Sequence, residues 1–227
     1  MNHLLITKNL QREQVLFLAE QGVDYKVVPA LTSNFTYNLN QISEILDQNS
    51  IWIFTSSKAV FSIASQLAIC KNKAEQRIAT VGENSKTELK KLGFEKILSF
   101  PTSNELTKTF DSHPEDKFVF FCGNNSRREI PEYAKLKGFN FQQVQVYETQ
   151  KAEPVIETNG FGAAFYFSPL GVESTLANNP QLKELKAYAI GETTAQALKK
   201  NGIEGVVVPK SSNVNEMIQQ FLQDKEV

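Results

Sequence analysis

IWIFTSSKAVFSIA, Ile51 to Ala64, reads as an apolar strand, a hydroxyl-bearing turn and the start of a helix, and the chain writes this passage a second time as AAFYFSPLGVESTLA, Ala163 to Ala177. The next passage is repeated as well. RIATVGENSKTELKKLGFEKILSFPTSN (Arg77 to Asn104) lies against KAYAIGETTAQALKKNGIEGVVVPKSSN (Lys186 to Asn213) without a gap, which sets Gly82 against Gly191, Gly93 against Gly202, and Ser103-Asn104 against Ser212-Asn213. The remaining segments also pair: Leu4 to Leu31 is similar to Phe118 to Tyr147, with Arg12 against Arg128 and Gly22 against Gly138. Internal duplication of this kind predicts two similar lobes with a cleft between them.

Apolar runs at Leu4 to Thr7, Ile51 to Phe54, Ile78 to Val81, Phe118 to Phe121, Ala163 to Phe167, Ala187 to Ile190 and Val206 to Val208 lack polar alternation. Runs of that type are strands buried on both faces. Between them the spacing turns helical, as at Val60, Ile63, Ala64 and Leu67 or at Leu89 and Leu92 before Gly93. These stretches begin near Ser or Thr, and several end at Gly. Alternating strand and helix predicts an α/β fold with parallel sheets flanked by helices. A chain of 227 residues with 41% hydrophobic content suffices for two modest cores.

The net charge of -1 and the absence of a Lys/Arg block leave no electrostatic footprint for nucleic acid. Two cysteines, Cys70 and Cys122, make neither a disulfide framework nor a metal motif, so a reducing, cytoplasmic setting is expected. The opening MNHLLITKNLQREQ is expected to be a first strand, not a signal peptide or a membrane span. No dimer signal stands out, and a monomer is the default expectation.

The helix starts decide where a ligand can sit. Ser168-Pro169 combines a capping hydroxyl with proline at the first helical position. Ser85 followed by Glu88 reads as a capping box. Thr55-Ser56 and Thr193-Thr194 fall at comparable strand-to-helix turns, so four such turns offer N–H groups and hydroxyls at the carboxyl ends of parallel strands, an arrangement that suits an anion. Each hydroxyl taken alone is explained by helix capping. Arg127 and Arg128 follow another strand end, where guanidinium matches carboxylate, although Arg128 also fits a solvated helix face. His3 and His113 pair with no acid or nucleophile and read as surface residues. Cys122 reads as a buried strand-end cysteine. Neither GxGxxG nor GxxxxGK[ST] is present, which argues against a nucleotide.

TSSKAV (Thr55 to Val60), VYET (Val146 to Thr149), FSPLGVES (Phe167 to Ser174) and AIGETTAQAL (Ala189 to Leu198), in that order and at these separations, resemble the uroporphyrinogen-III synthase family over nearly the whole chain. The resemblance implies two flavodoxin-like lobes joined by a two-stranded connector, with the chain crossing near Val28 to Phe35 and returning near Val144 to Pro154. One lobe would hold residues 1–32 and 150–227, the other residues 33–149. It further implies closure of hydroxymethylbilane to uroporphyrinogen III, with loss of water and inversion of ring D, without a metal or organic cofactor. That substrate carries eight carboxylates and closes unaided without inversion, so the implied catalysis is orientation plus help to the departing hydroxyl.

Tyr147 aligns with the tyrosine of the family's VYxT motif and is the implied proton donor, or it positions a water; read without the resemblance, it is an aromatic packed at a strand end. Thr55, Ser56, Ser168, Thr193 and Thr194 are implied carboxylate binders. Gly171 and Gly191 would let the backbone approach the ligand, or serve the turn alone, and Arg127 would reach propionates. Cys122 stands where the family pattern carries Arg before the glycine, so one implied carboxylate contact is missing. The same fold would also serve a noncatalytic tetrapyrrole-binding or regulatory module.

Overall fold

The computed structural model describes residues 3–157 and 160–225. The chain opens with β1 (His3–Ile6), α1 (Arg12–Glu20), β2 (Tyr25–Val27) and β3 (Leu31–Phe35). Next come α2 (Leu39–Leu46), β4 (Ile51–Phe54), α3 (Ser57–Ser62), α4 (Ala64–Ile69), β5 (Ile78–Val81), α5 (Glu83–Lys91), β6 (Ile97–Phe100) and α6 (Ser103–Ser112). β7 (Phe118–Gly123), α7 (Glu129–Lys137) and the long β8 (Phe141–Lys151) follow. β9 (Phe161–Tyr166), α8 (Pro169–Ala177), β10 (Lys186–Ala189), α9 (Glu192–Lys200) and α10 (Val214–Lys225) complete it. The chain divides into two compact units, residues 1–32 with 150–227 and residues 33–149.

The inserted unit, residues 33–149, is built on a six-stranded sheet of order β3-β8-β7-β4-β5-β6. β4 runs parallel to β5 and β7, β5 to β6, and β7 to β8. Its central strands β4 and β7 are apolar and buried at every position because both faces of the sheet are covered there, whereas β3 at the edge and the long β8 are largely polar. Trp52 and Phe54 pack on one side with Val60, Leu67 and Leu89, while Ile51 and Ile53 pack on the other with Leu106, Phe110, Ile130 and Ala134. Burying each aromatic of this kind removes apolar area worth about 2–3 kcal/mol.

In the discontinuous unit the sheet order is β10-β9-β1-β2, with β1 parallel to β2 and β9, and β9 parallel to β10. Leu5, Ala164 and Tyr166 face Val172, Leu176, Ala195 and Leu198, whereas Leu4, Ile6 and Phe165 face Leu18, Met217, Ile218 and Phe221. Matching the duplicated segments turns the order β8-β7-β4-β5 into β2-β1-β9-β10, so the two sheets are wound alike. Their helix-ending glycines match too, for Gly22 and Gly138 are left-handed at φ 61° and 75°, and Gly93 and Gly202 at 92° and 83°. Only glycine adopts that region without strain.

Three local expectations are corrected. Val206 to Val208 reduces to a single parallel bridge, Val207 with Tyr188, because Gly205 turns the chain at φ 64° immediately before it and Pro209 follows. Ser85 does not open a capping box: Gly82, at φ 75°, caps α5 directly, and Ser85 lies buried within the first turn. The helical run from Val60 to Leu67 is broken at Ile63 (φ -115°, ψ 21°), where the Tyr37 hydroxyl donates to the Ser62 carbonyl and removes it from the helical ladder. Among the described residues no helix is long and apolar enough to cross a membrane, and no three His, Cys, Asp or Glu side chains converge as a metal site.

Candidate active site

In the inserted unit the order β8-β7-β4-β5-β6 reverses direction of winding between β7 and β4, and the carboxyl ends of strands flanking such a switch point form a crevice. A cavity of about 440 Å³ occupies that place. Its lining comes from the turn after β4 (Thr55, Ser56), the start of α6 (Thr102, Ser103), Gly123 at the end of β7, the turn that follows it (Asn125, Ser126, Arg127) and Tyr147 on β8. The segment folds this way for local reasons. Ser56 is extended (φ -148°, ψ 131°) and its Oγ accepts from the Lys58 amide at 3.2 Å, while Thr102 Oγ1 accepts from the Glu105 amide at 3.2 Å. Each cap satisfies one free amide, and the other first-turn amides of α6 keep their partial positive charge at a helix start.

Tyr147 reaches this cavity through an irregularity in the sheet. β8 slips against β7 so that Cys122 pairs with Gln145 but Gly123 pairs with Tyr147, leaving Val146 as the extra residue of a bulge. The half-buried phenol then donates to Ser56 Oγ at 3.4 Å, and Lys58 Nζ lies over its ring, 5.9 Å from the centroid. Lys58 also donates to Ser33 Oγ at 3.1 Å, and Ser33 Oγ lies 3.3 Å from Thr149 Oγ1. Thr149 is held from the other side by Asn124, whose Oδ1 accepts from the Thr149 amide at 2.9 Å and whose Nδ2 donates to its carbonyl at 3.1 Å. Both residues flanking Glu148 are thus fixed.

Of the residues singled out in the sequence, Thr55, Ser56, Arg127 and Tyr147 gather round this one cavity. Arg127 is exposed there, and among the described residues its guanidinium has no ion pair. The other five lie in the discontinuous unit. Ser168 caps α8, accepting from the Gly171 amide at 3.1 Å with Pro169 at the first helical position. Gly171 is buried in that first turn, where an added Cβ would stand 3.1 Å from Ser168 Oγ. Gly191 caps α9 in extended backbone at φ -176°, with Ser212 Oγ 2.8 Å from where its Cβ would be. Thr193 and Thr194 are inside the first turn, the former exposed and the latter 1% exposed. Sequence reasoning missed Ser33, Lys58, Thr102, Gly123 and Asn124, and of these only Thr102, three residues before a Glu amide, carried a capping signal of its own.

A parallel α/β sheet with a hydroxyl- and amide-lined cavity at its carboxyl edge defines a small-molecule site of the doubly wound class, suited to an anionic ligand. Residues 13–219 match the family model described as Uroporphyrinogen-III synthase HemD, and the chain belongs to that family. It is a family of cyclising lyases in tetrapyrrole biosynthesis. The fold is similar to that of the uroporphyrinogen-III synthetase from Helicobacter pylori 26695, at a TM-score of 0.71 and 15% identity over 98% of this chain and 99% of that one. It is also similar to a mutant uroporphyrinogen III synthase from the extremely thermophilic bacterium Thermus thermophilus, at a TM-score of 0.65 and 15% identity over 100% of this chain and 99% of that one. No curated protein sequence matches the chain at a significant level.

Proposed function

We propose that this chain closes hydroxymethylbilane to uroporphyrinogen III, with loss of water and inversion of ring D, and that the cavity of the inserted unit carries the chemistry. The observation that supports this reading is the placement of the Tyr147 hydroxyl against Ser56 at a cavity lined by hydroxyls and amides, in a chain of this family. Tyr147 Oη donates a proton as the bond from carbon to the substrate's terminal hydroxyl breaks, so the hydroxyl departs as water and the carbon is left electrophilic. Ser56 holds the phenol oxygen at the cavity by accepting a hydrogen bond from it, and that proton turns from Ser56 Oγ to the departing hydroxyl when substrate is bound. Thr55, the start of α6 and Arg127 hold carboxylates, guanidinium being matched to that group. In the discontinuous unit Ser168 and the exposed Thr193 are the corresponding carboxylate donors, while Gly171, Gly191 and Thr194 shape their turns. Orientation supplies most of the rate, because the competing unaided closure needs only that the chain meet its end in the wrong sense. The protein acts in the cytoplasm without nucleic acid, a reading supported by its two unpaired cysteines and its near-zero charge, and a monomer is the default reading of its assembly.

The test is product isomer analysis with hydroxymethylbilane generated in situ, followed by oxidation and separation of the uroporphyrins. Type III product is expected with the native chain, and Tyr147→Phe should reduce it sharply. Type III retained by the variant would remove Tyr147 as donor while keeping the enzyme; type I alone, as in the protein-free control, would leave a noncatalytic tetrapyrrole-binding module.

A further inference from the structure

Gly123 ends β7 beneath the ring of Tyr147. A Cβ built on it would lie 2.9 Å from Tyr147 Oη and closer still to Cε2 and Cζ, distances that real Cβ atoms do not show. The turn itself does not require glycine at this position, since the backbone of Gly123 is not left-handed. What requires it is the ring. The bulge that pairs Gly123 with Tyr147 brings the phenol across this strand end, and the Asn124 amide donates to the Tyr147 carbonyl at 3.3 Å, fixing the backbone that bears it.

We propose that Gly123 is a positioning residue of the reaction: its missing side chain is the seat that sets the Tyr147 phenol against Ser56 at the cavity. This rests on the function proposed above and deepens it. The obstructed atoms are the far end of the tyrosine side chain, and Tyr147 is only half-buried. An alanine at Gly123 therefore displaces the ring rather than the strand. The phenol swings from Ser56, and the proton it should deliver starts from the wrong place, a misplacement of a kind that lowers turnover with little effect on binding.

The experiment compares Gly123→Ala, Tyr147→Ala and the double variant in the full chain, reading kcat and KM for type III product, the thermal midpoint, and the ring resonances of Tyr147 in protein carrying carbon-13-labelled tyrosine. Gly123→Ala should keep a native-like melting transition, shift the Tyr147 ring resonance and lower kcat by about tenfold or more with KM changed far less. In the Tyr147→Ala background, where no ring remains to be displaced, Gly123→Ala should cost almost nothing further, because residues acting as a unit do not add. Native turnover in Gly123→Ala, losses that multiply in the double variant, or an unmoved ring resonance would each overturn the proposal. Should the native chain form no type III product, the proposed reaction falls, and the seating of the ring is decided by the resonance alone.

Discussion

Ser56 and Ser168 occupy the same place in the two sheets, each two residues past the end of the strand at the centre of its unit and each capping the helix that follows. Around that shared serine the units diverge. Before Ser56 stands Thr55, at the cavity; before Ser168 stands Phe167, whose ring lies under Lys8 Nζ at 5.6 Å. Lys8 itself corresponds to Cys122 when β1 is matched to β7, so the discontinuous unit carries a cation where the inserted unit carries a buried cysteine. The winding and the helix caps thus occur in both units, while Thr55, Ser56, Arg127 and Tyr147 gather at the carboxyl edge of the inserted one.

The ends of β8 and the segment after it are tied down in both units, but unequally. In the discontinuous unit the fully buried Asn179 accepts from the Ile156 amide and donates to the carbonyls of Pro154 and Thr175, each at 2.7 Å. Ser174 and Asn178 hold Glu153, at φ 45°, by its amide and its carbonyl. In the inserted unit the exposed Asn124 does the equivalent work on Thr149. Asn179→Ala strands two buried backbone groups and a half-buried third and should cost about 2–4 kcal/mol, whereas Asn124→Ala should cost about 0.5–1 kcal/mol because water replaces what it loses. Urea midpoints read by circular dichroism would decide. Equal losses would mean that the two clamps are interchangeable and the comparison is wrong.

Much of this was legible in the sequence, and the misses share a physical cause. Strands buried on both faces need no partner to be recognised, so Ile51 to Phe54 and Phe118 to Phe121 could be read directly. Ser56 and Ser168 were equally plain, because a cap acts within three residues of itself. Gly123 and Asn124 were not, since each works on Tyr147 or Thr149 across a strand pairing that includes a bulge, and no local pattern encodes a one-residue slip; Lys58 meets the Tyr147 ring from α3, a contact between residues far apart in sequence that no local pattern encodes either. Ser85 misled for the converse reason: it has the spacing of a capping box, but the left-handed Gly82 had already started the helix. Thr193 and Thr194 are inside their turn because Gly191 does the same.

Gly82 and Gly191 allow a second separation of the units. They are the same residue in the same turn, but Gly82 is required by its φ of 75°, with nothing within 4 Å of an added Cβ, and Gly191 by the hydroxyl of Ser212. Gly82→Ala should cost about 1–2 kcal/mol, the strain of placing a side chain in that backbone region. Gly191→Ala should cost less, about 0.5 kcal/mol, since the serine hydroxyl can rotate away at the expense of an off-ideal rotamer. Adding Ser212→Ala should restore the Gly191 variant. If Ser212→Ala fails to restore it, the steric account of Gly191 is wrong.

The smallest expected difference concerns acid. Arg77 and Lys186 occupy one position in the duplicated sequence, yet Arg77 grips Asp116 with two hydrogen bonds, at 2.6 and 2.8 Å, and Lys186 meets Asp224 through one ammonium at 2.9 Å while Tyr188 donates to the same carboxylate at 2.7 Å. The Arg77 hydrogen bonds hold the Asp116 carboxyl below its usual range, and Lys186 followed by Tyr188 does so for Asp224. A carboxylate favoured in this way stabilises the fold above the unfolded pKa of about 3.9, and that contribution disappears as pH falls through the lower folded value. Asp116→Asn and Asp224→Asn should therefore each lower the urea midpoint at neutral pH and converge on the native chain in acid. Exchanging the cations separates the two pairs further. Arg77→Lys gives up a two-pronged geometry that an ammonium cannot reproduce, so its acid limb should move to higher pH, whereas Lys186→Arg should leave the acid limb in place because a single contact and the Tyr188 hydroxyl already suffice. Equal movement in both exchanges would show that the two pairs differ in geometry only and not in what they contribute to their units.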